Sequence, residues 1–267
     1  MLNKIGPFRI GGKPAFTQIT PDRVADYVII TVKDPLHGCE SDVAEEVASH
    51  FDTRELVADT GMCRTYTGTY KGVGVTVASA GSGAPETEII LMDFMMNSSA
   101  HTFIRVGGSG AMQEHVKVGD LVIAVGAVRD EGTSQSYVPP QFPAVADYRL
   151  VAAMQKAAEA NGFPHHLGVT RSCDSEYVGV GRPARGGYIL PRHEQQFDLW
   201  HRAGVLNVDR ETSILLTLTT LFGLRGGAVN AVGDNFVTGE PFAAGAGFEA
   251  AIRTALDGIA ILEGVMS

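Results

Sequence analysis

Cysteine is scarce: Cys39, Cys63 and Cys173 are the only three in 267 residues. They are too few and too scattered for a disulfide framework and lack the CxxC spacing of a metal site, so a reducing compartment, the cytoplasm, is expected. Basic residues are outnumbered, 21 Lys+Arg against 30 Asp+Glu, for a net charge of −9. Non-specific binding to nucleic acid or to an acidic membrane surface needs a positive field that such a chain lacks. No apolar run approaches the ~20 residues that span a bilayer. The stretch MLNKIGPFRIGGKP has no apolar core of signal-peptide length, so neither a membrane span nor secretion by that route is expected. Familiar site motifs are missing as well. There is no P-loop, and GGSGA (107–111) has Ala111 where a nucleophile elbow needs glycine. GVGRPA (179–184) matches a dinucleotide fingerprint only loosely, since it opens no helical pattern. Without HExxH or a spaced Cys/His cluster, no metal is expected.

What remains is a chain of 45% hydrophobic and 19% charged residues, enough apolar surface for a full core in one domain over 1–267. Short apolar runs at 27–32, 74–79, 101–107, 120–128, 166–172 and 226–233 read as strands, several apolar on both faces as a covered sheet requires. Helical patterns fall at 41–51, 86–99, 146–162, 211–223 and 247–266, with Ser41 and Glu86 at helix starts and Gly162 and Gly223 at helix ends. This alternation predicts a three-layer α/β/α fold. The irregular stretches 129–145 and 173–200 are expected to wall a site beyond the strand ends.

Three polar groups stand directly after or before apolar runs. Arg105 ends HTFIRVG, ahead of a stretch of glycine and serine. A guanidinium buried by that pattern must pair with a carboxylate or face a bound anion, and the residues alone leave both open. Glu211 opens the apolar ETSILLTLTTLFG, where a helix dipole favours its charge; plain capping is the other reading. Asp234 ends GGAVNAVGD, where partial desolvation would suit a carboxyl to proton donation; a turn with Asn235 is the alternative.

The segments RVGGSGAMQEHVKVGDLVIAVGAVRDEGTS, PPQFPAVADYRLVAAMQKAAEANG and GVLNVDRETSILLTLTTLFGLRGG follow one another in the order of the nucleoside phosphorylase superfamily. ASAGSGAPETEI (78–89) is similar to the family's glycine-rich turn into a helix, and across 20–264 the chain resembles uridine phosphorylases. The resemblance implies a twisted, mixed, partly barrel-like sheet flanked by helices, assembled as a homodimer or a homohexamer of three dimers. It also implies phosphorolysis of a nucleoside N-glycosidic bond to a free base and a pentose 1-phosphate, with inorganic phosphate as co-substrate and no cofactor. The transition state gathers positive charge on the sugar while electrons move into the base, so anions and a base-side acid are both needed. By resemblance, Arg105 binds the phosphate, Glu211 holds the ribose hydroxyls beside Asp209 and Arg210, and Arg182 meets the base.

Departures from the family pattern are specific. In VIITVKDPLHG, Lys33 and His37 stand where relatives have the glycine and arginine of a GDPxR-type phosphate loop, so a cationic pair is expected there. Gly108 replaces a threonine, leaving Ser109 as the nearest hydroxyl; Gly61 replaces an arginine lent across the dimer, with Arg64 close by. The histidine that meets the sugar 5′-hydroxyl is missing near Ala15 and Phe16. Arg210 replaces the methionine of a Glu-Met-Glu, Val180 a base-binding glutamine, and Glu176 an aromatic that stacks on the base. Asp234, 23 positions after Glu211, aligns instead with the aspartate that protonates purines in purine phosphorylases. Three functions follow: a phosphorylase of altered base specificity, a hydrolase using water, or a non-catalytic nucleoside-binding descendant. Catalysis of either kind requires Arg105 and Glu211 to face each other across the width of one pentose.

Overall fold

The computed structural model describes residues 5–266. A small hairpin, β1 (Arg9–Ile10) and β2 (Lys13–Pro14), precedes the main sheet. That sheet collects β3 (Tyr27–Val32), β4 (Thr53–Asp59), β5 (Arg64–Tyr70), β6 (Val73–Ala80), β7 (Thr102–Ala111), β8 (Leu121–Asp130), β9 (Ala144–Val145), β10 (His165–Cys173), β11 (Asn207–Asp209) and β12 (Arg225–Asn235). The helices are α1 (Val43–Ser49), α2 (Ala84–Asn97), α3 (Tyr148–Asn161), α4 (Pro191–Arg202), α5 (Thr212–Leu221) and α6 (Phe248–Leu262). Strand order is β11-β10-β8-β12-β7-β3-β6-β5-β4, with β9 beside β8. The strands that are apolar on both faces, β3 and β7 above all, lie inside: β7 pairs in parallel with β3 and β12. One core cluster joins the sheet to α1, α3 and α6, the other joins it to α2 and α5, giving the expected three layers.

The far end of β7 does one thing more. Gly110 and Ala111 pair antiparallel with Val208 and Asn207 of β11, which in turn pairs with β10. Strands β7, β12, β8, β10 and β11 therefore close on themselves, the partly barrel-like geometry that the family resemblance implies. The strand ends that carry the polar groups of the sequence converge at this closure.

Local expectations are corrected at four points. The glycines and serine at 107–111 are not a loop; they continue β7. A Cβ at Gly107 would lie 2.6 Å from Arg105 Cζ, and one at Gly110 2.3 Å from the Phe236 ring, so both positions need glycine to admit those neighbours. Ser41 does not cap α1: Asp42 accepts from the Ala44 amide at 2.9 Å. The stretch 173–200 is not wholly irregular, since α4 occupies its end from Pro191 onward. The β4–β5 hairpin has no counterpart among the apolar runs, because it sits at the sheet edge with most of β4 exposed. Glu86 does lie in the first turn of α2, and Gly162 ends α3 with φ 68°, both as expected.

Candidate active site

Arg105 is 3% exposed near the middle of β7, and its guanidinium folds back over Gly107. It must find anions nearby, because an unpaired buried charge is prohibitively costly. Nη2 donates to Glu211 Oε2 at 2.6 Å and Nε to the same oxygen at 3.1 Å. Asp209 Oδ2 lies 3.3 Å from Nε, Nη1 donates to Asn230 Oδ1, and Nη2 also donates to the Gly108 carbonyl at 3.2 Å. The pentose-wide gap expected between Arg105 and Glu211 is thus replaced by direct contact. Arg105 is paired with carboxylates, one of the two readings left open by its sequence, and it lines a cavity.

The capping reading of Glu211 fails, and Asp209 takes that role. Glu211 stands at the N-cap position of α5 but does not cap it. Its Oε1 accepts from the Gly83 amide at 2.6 Å and the Ser82 hydroxyl at 3.3 Å, so the glycine-rich turn before α2 holds this carboxylate from the other side. Asp209 is the cap: its carboxylate accepts from the Thr212 amide at 3.2 Å and from Ser172 Oγ at 2.6 Å. Burial pushes the Asp209 carboxyl up, and the neighbouring Arg105 opposes that rise.

These residues line one cavity of ≈ 450 Å³, within the range of small-molecule sites. At its other end the β12 ladder slips between Val232 and Asp234, a bulge that turns Asp234 into the cavity. Arg182 donates to the Asp234 carboxylate and stacks on Phe236, with Cζ 4.8 Å from the ring centroid. Buried Val180 presents an apolar wall. Glu176 and Arg210 face each other at the mouth, 3.8 Å apart. Burial raises the Glu176 carboxyl and Arg210 counters it. Arg210 also donates to Ser82 Oγ at 3.2 Å and to the Asp174 carbonyl at 3.1 Å.

The expected phosphate-loop pair comes apart. Lys33 does not line the cavity; its Nζ donates to the Gly61 carbonyl at 3.2 Å and lies 3.9 Å from Asp42. His37 does line it, buried, with Nδ1 2.9 Å from Asp34 Oδ1. The Gly108 amide donates to its Nε2 at 3.2 Å, so Nε2 acts as an acceptor in this contact. Ser109 reaches the cavity too, although its hydroxyl donates to the Ala231 carbonyl at 3.2 Å. Arg64 is taken up by Asp59 at 2.7 Å and Glu45 at 3.6 Å and is no part of this cavity.

Among the residues of the site not singled out in the sequence are Asp34, Ser82, Asn230 and Phe236. Asn230 had a signal, an amide inside an apolar run that needs a buried partner. Asp34 had one too, as the residue before Pro35 in a turn, where it caps with Oδ1 accepting from the Leu36 amide at 2.9 Å. Chemically, one end of the cavity offers a guanidinium, two carboxylates and glycine amides, and the other offers a carboxylate paired with arginine.

Known proteins share this framework. The profile of the phosphorylase superfamily matches residues 28–260. A uridine phosphorylase of Thermococcus kodakarensis is 41% identical over 220 residues, 82% of this chain and 76% of the relative. The uridine phosphorylase of Escherichia coli is 34% identical over 194 residues, 72% and 76% of the two chains. A guanosine phosphorylase of Halorubrum lacusprofundi is 32% identical over 195 residues, 73% and 75%. With the matched region running from β3 into α6 and taking in every strand of the closed barrel, the chain belongs to the phosphorylase superfamily.

Proposed function

We infer that the chain is a pentosyltransferase, a nucleoside phosphorylase that cleaves the N-glycosidic bond with inorganic phosphate to give a free base and a pentose 1-phosphate. One arrangement supports this above all: Arg105 and Glu211 meet at one end of a cavity whose other end presents Asp234 and Arg182. Ribose hydroxyls donating to Glu211 and phosphate oxygens accepting from Arg105 replace the direct contact between the two side chains. Each ligand thereby releases the partner that the other needs, and nucleoside and phosphate bind with positive coupling. Glu211 and Asp209 stabilise the positive charge on the sugar as the bond breaks. Asp234 lies where the departing base collects the electron pair, and a proton passed through this carboxyl lets the base leave neutral.

The base subsite is the finer part of the proposal. Val180 supplies no amide to read a uracil edge, whereas Asp234 suits a purine ring nitrogen, so purine nucleosides are the proposed substrates. The enzyme works as one domain over 1–267, without a cofactor, as a cytoplasmic homodimer or homohexamer. Chromatography of bases released from a nucleoside panel, with and without phosphate, tests the reaction. Phosphate-dependent release with a sugar 1-phosphate product is expected; release without phosphate refutes phosphorolysis in favour of hydrolysis. Asp234→Asn is expected to abolish purine cleavage while sparing any uridine cleavage, and equal loss on both removes the proton-donor role.

A further inference from the structure

The buried imidazole of His37 borders the cavity with Nε2 placed as an acceptor beside Gly108. Asp34 Oδ1 lies 2.9 Å from Nδ1, close enough to balance a charge on the ring, and Phe248 of α6 packs on it with ring centroids 4.3 Å apart. Nε2 is held against the Gly108 amide at 3.2 Å, and Gly108 in turn offers its carbonyl to Arg105. The charged and titratable groups around the ring come from several elements. Asp34 shares its turn, and Arg105 approaches from β7. The Cys39 thiol, pushed up to about 11 by burial, contacts the His37 carbonyl. Glu40, Glu46 and Glu249 line an adjoining cavity of ≈ 500 Å³ that His37 also borders. Burial alone would raise the Asp34 carboxyl, but a protonated His37, the Leu36 amide and Arg105 together hold it below its ordinary value.

Resting on the phosphorylase reading, we propose that His37 takes a proton from the incoming dihydrogen phosphate and thereby unmasks the anion site. A neutral imidazole occupies the Gly108 amide, so neither group can donate to a ligand. Once Nε2 carries a proton it can no longer accept, and two donors, Nε2–H and the Gly108 N–H, become available together beside Arg105. The imidazolium is balanced by Asp34 and the phosphate becomes the dianion. One of its oxygens then bonds to the sugar C1′ as the C1′–N bond breaks and the electron pair leaves with the base. The proton still on the phosphate balances the one the base takes up. His37 returns its proton to solvent when the ester departs, and the Gly108 amide closes back onto Nε2. A fixed arginine at this position would hold the dianion at any pH; a histidine makes phosphate capture depend on a proton that phosphate itself supplies.

The test measures kcat/KM for phosphate against pH at saturating nucleoside. In the native enzyme it is expected to fall on both sides of an optimum, because the productive complex holds one proton shared between His37 and phosphate. His37→Asn is expected to lower it by about 10- to 100-fold, the worth of a charge-assisted hydrogen bond, and to lose the alkaline limb. His37→Arg is expected to recover phosphate use while also lacking the alkaline limb. In the native protein, nuclear magnetic resonance of the His37 ring is expected to shift toward imidazolium when phosphate is added, a readout that needs no variant to fold. A phosphate-dependent native enzyme with an unchanged His37→Asn profile, or a ring signal indifferent to phosphate, overturns the proposal and leaves the phosphorylase reading standing. Base release from the native enzyme without phosphate overturns both.

Discussion

Gly107→Ala isolates the packing that aims Arg105. The glycine's φ is negative, so alanine meets no backbone penalty and the cost is steric. A Cβ there would lie 2.6 Å from Arg105 Cζ and 2.7 Å from both Nη atoms, distances that only displacement of the guanidinium can relieve. That displacement stretches the 2.6 Å contact to Glu211 and the 3.3 Å contact to Asp209, inside a region where all three side chains are essentially buried. Overpacking costs about 1–3 kcal/mol, and opening a buried ion pair about 3–5 kcal/mol. Because the pair is stretched rather than deleted, the expected loss is about 3 kcal/mol, a Tm drop of about 6–12 °C for a chain of this size. Gly108→Ala is the internal control: its Cβ would meet nothing closer than His37 Nε2 at 3.9 Å, so its stability is expected to stay within about 1 kcal/mol of the native protein. Thermal unfolding of the two variants beside the native protein, with phosphorolysis measured in parallel, checks the contrast. Equal stability of the two alanine variants, or full phosphate use by Gly107→Ala, refutes the steric reasoning.

Three other outcomes follow from contacts already described. Lys33→Ala is expected to leave the KM for phosphate within about twofold of native, since Lys33 turns away from the cavity toward Gly61; saturation curves decide it. Arg171 binds Asp130 through Nε at 2.8 Å and donates to the Gly179 carbonyl at 2.8 Å, tethering the turn that carries Val180 and Arg182. Arg171→Ala is therefore expected to raise the nucleoside KM at least about tenfold, with a smaller effect on phosphate. Asp257 in α6 accepts from Tyr70 at 2.8 Å, Lys71 at 2.6 Å and Asn161 at 2.9 Å, contacts that outweigh burial and hold its carboxyl below the ordinary range. Its contribution to stability is complete above the unfolded value of about 3.9 and is lost as pH falls through the folded one. Asp257→Asn is expected to cost about 1–3 kcal/mol at neutral pH, discounted because Lys71 is partly exposed, and to converge with native stability in acid denaturation series below about pH 4.

The strands and helices legible in the sequence are those whose burial is uniform. YVIITV reads as β3 residue for residue because all six side chains are buried. The β4–β5 hairpin escaped because its threonines, arginines and glutamate are those of an exposed edge, where no apolar period develops. Helix α4 escaped for a related reason: only His193 is buried along it, so its apolar face is thin. Within the site, residue type identified Arg105, Glu211 and Asp234, which do share a cavity, but could not say which partner each one takes. Neighbouring positions mislead most. Lys33 and His37 are four residues apart, yet only His37 turns inward, because β3 ends at Val32 and the short turn at 35–37, capped by Asp34, redirects the chain between them. Likewise Asp209 and Glu211 both look like helix-start carboxylates, and only tertiary structure shows that one serves α5 while the other reaches across to α2.

The closed ring of strands has a consequence for how such an enzyme changes its diet. Every strand of the ring is gripped on both sides, so the anion end of the cavity is set in a frame with no loose margin. Segments 174–190 and 236–247, by contrast, lie outside the ring, tied to it by side-chain and backbone contacts such as Arg171 to Gly179, and supply Glu176, Val180, Arg182 and Phe236. Exchanging those two segments as cassettes is expected to remodel the proposed base subsite while leaving Arg105 and Glu211 in their frame, provided the incoming segment again supplies a cation for Asp234.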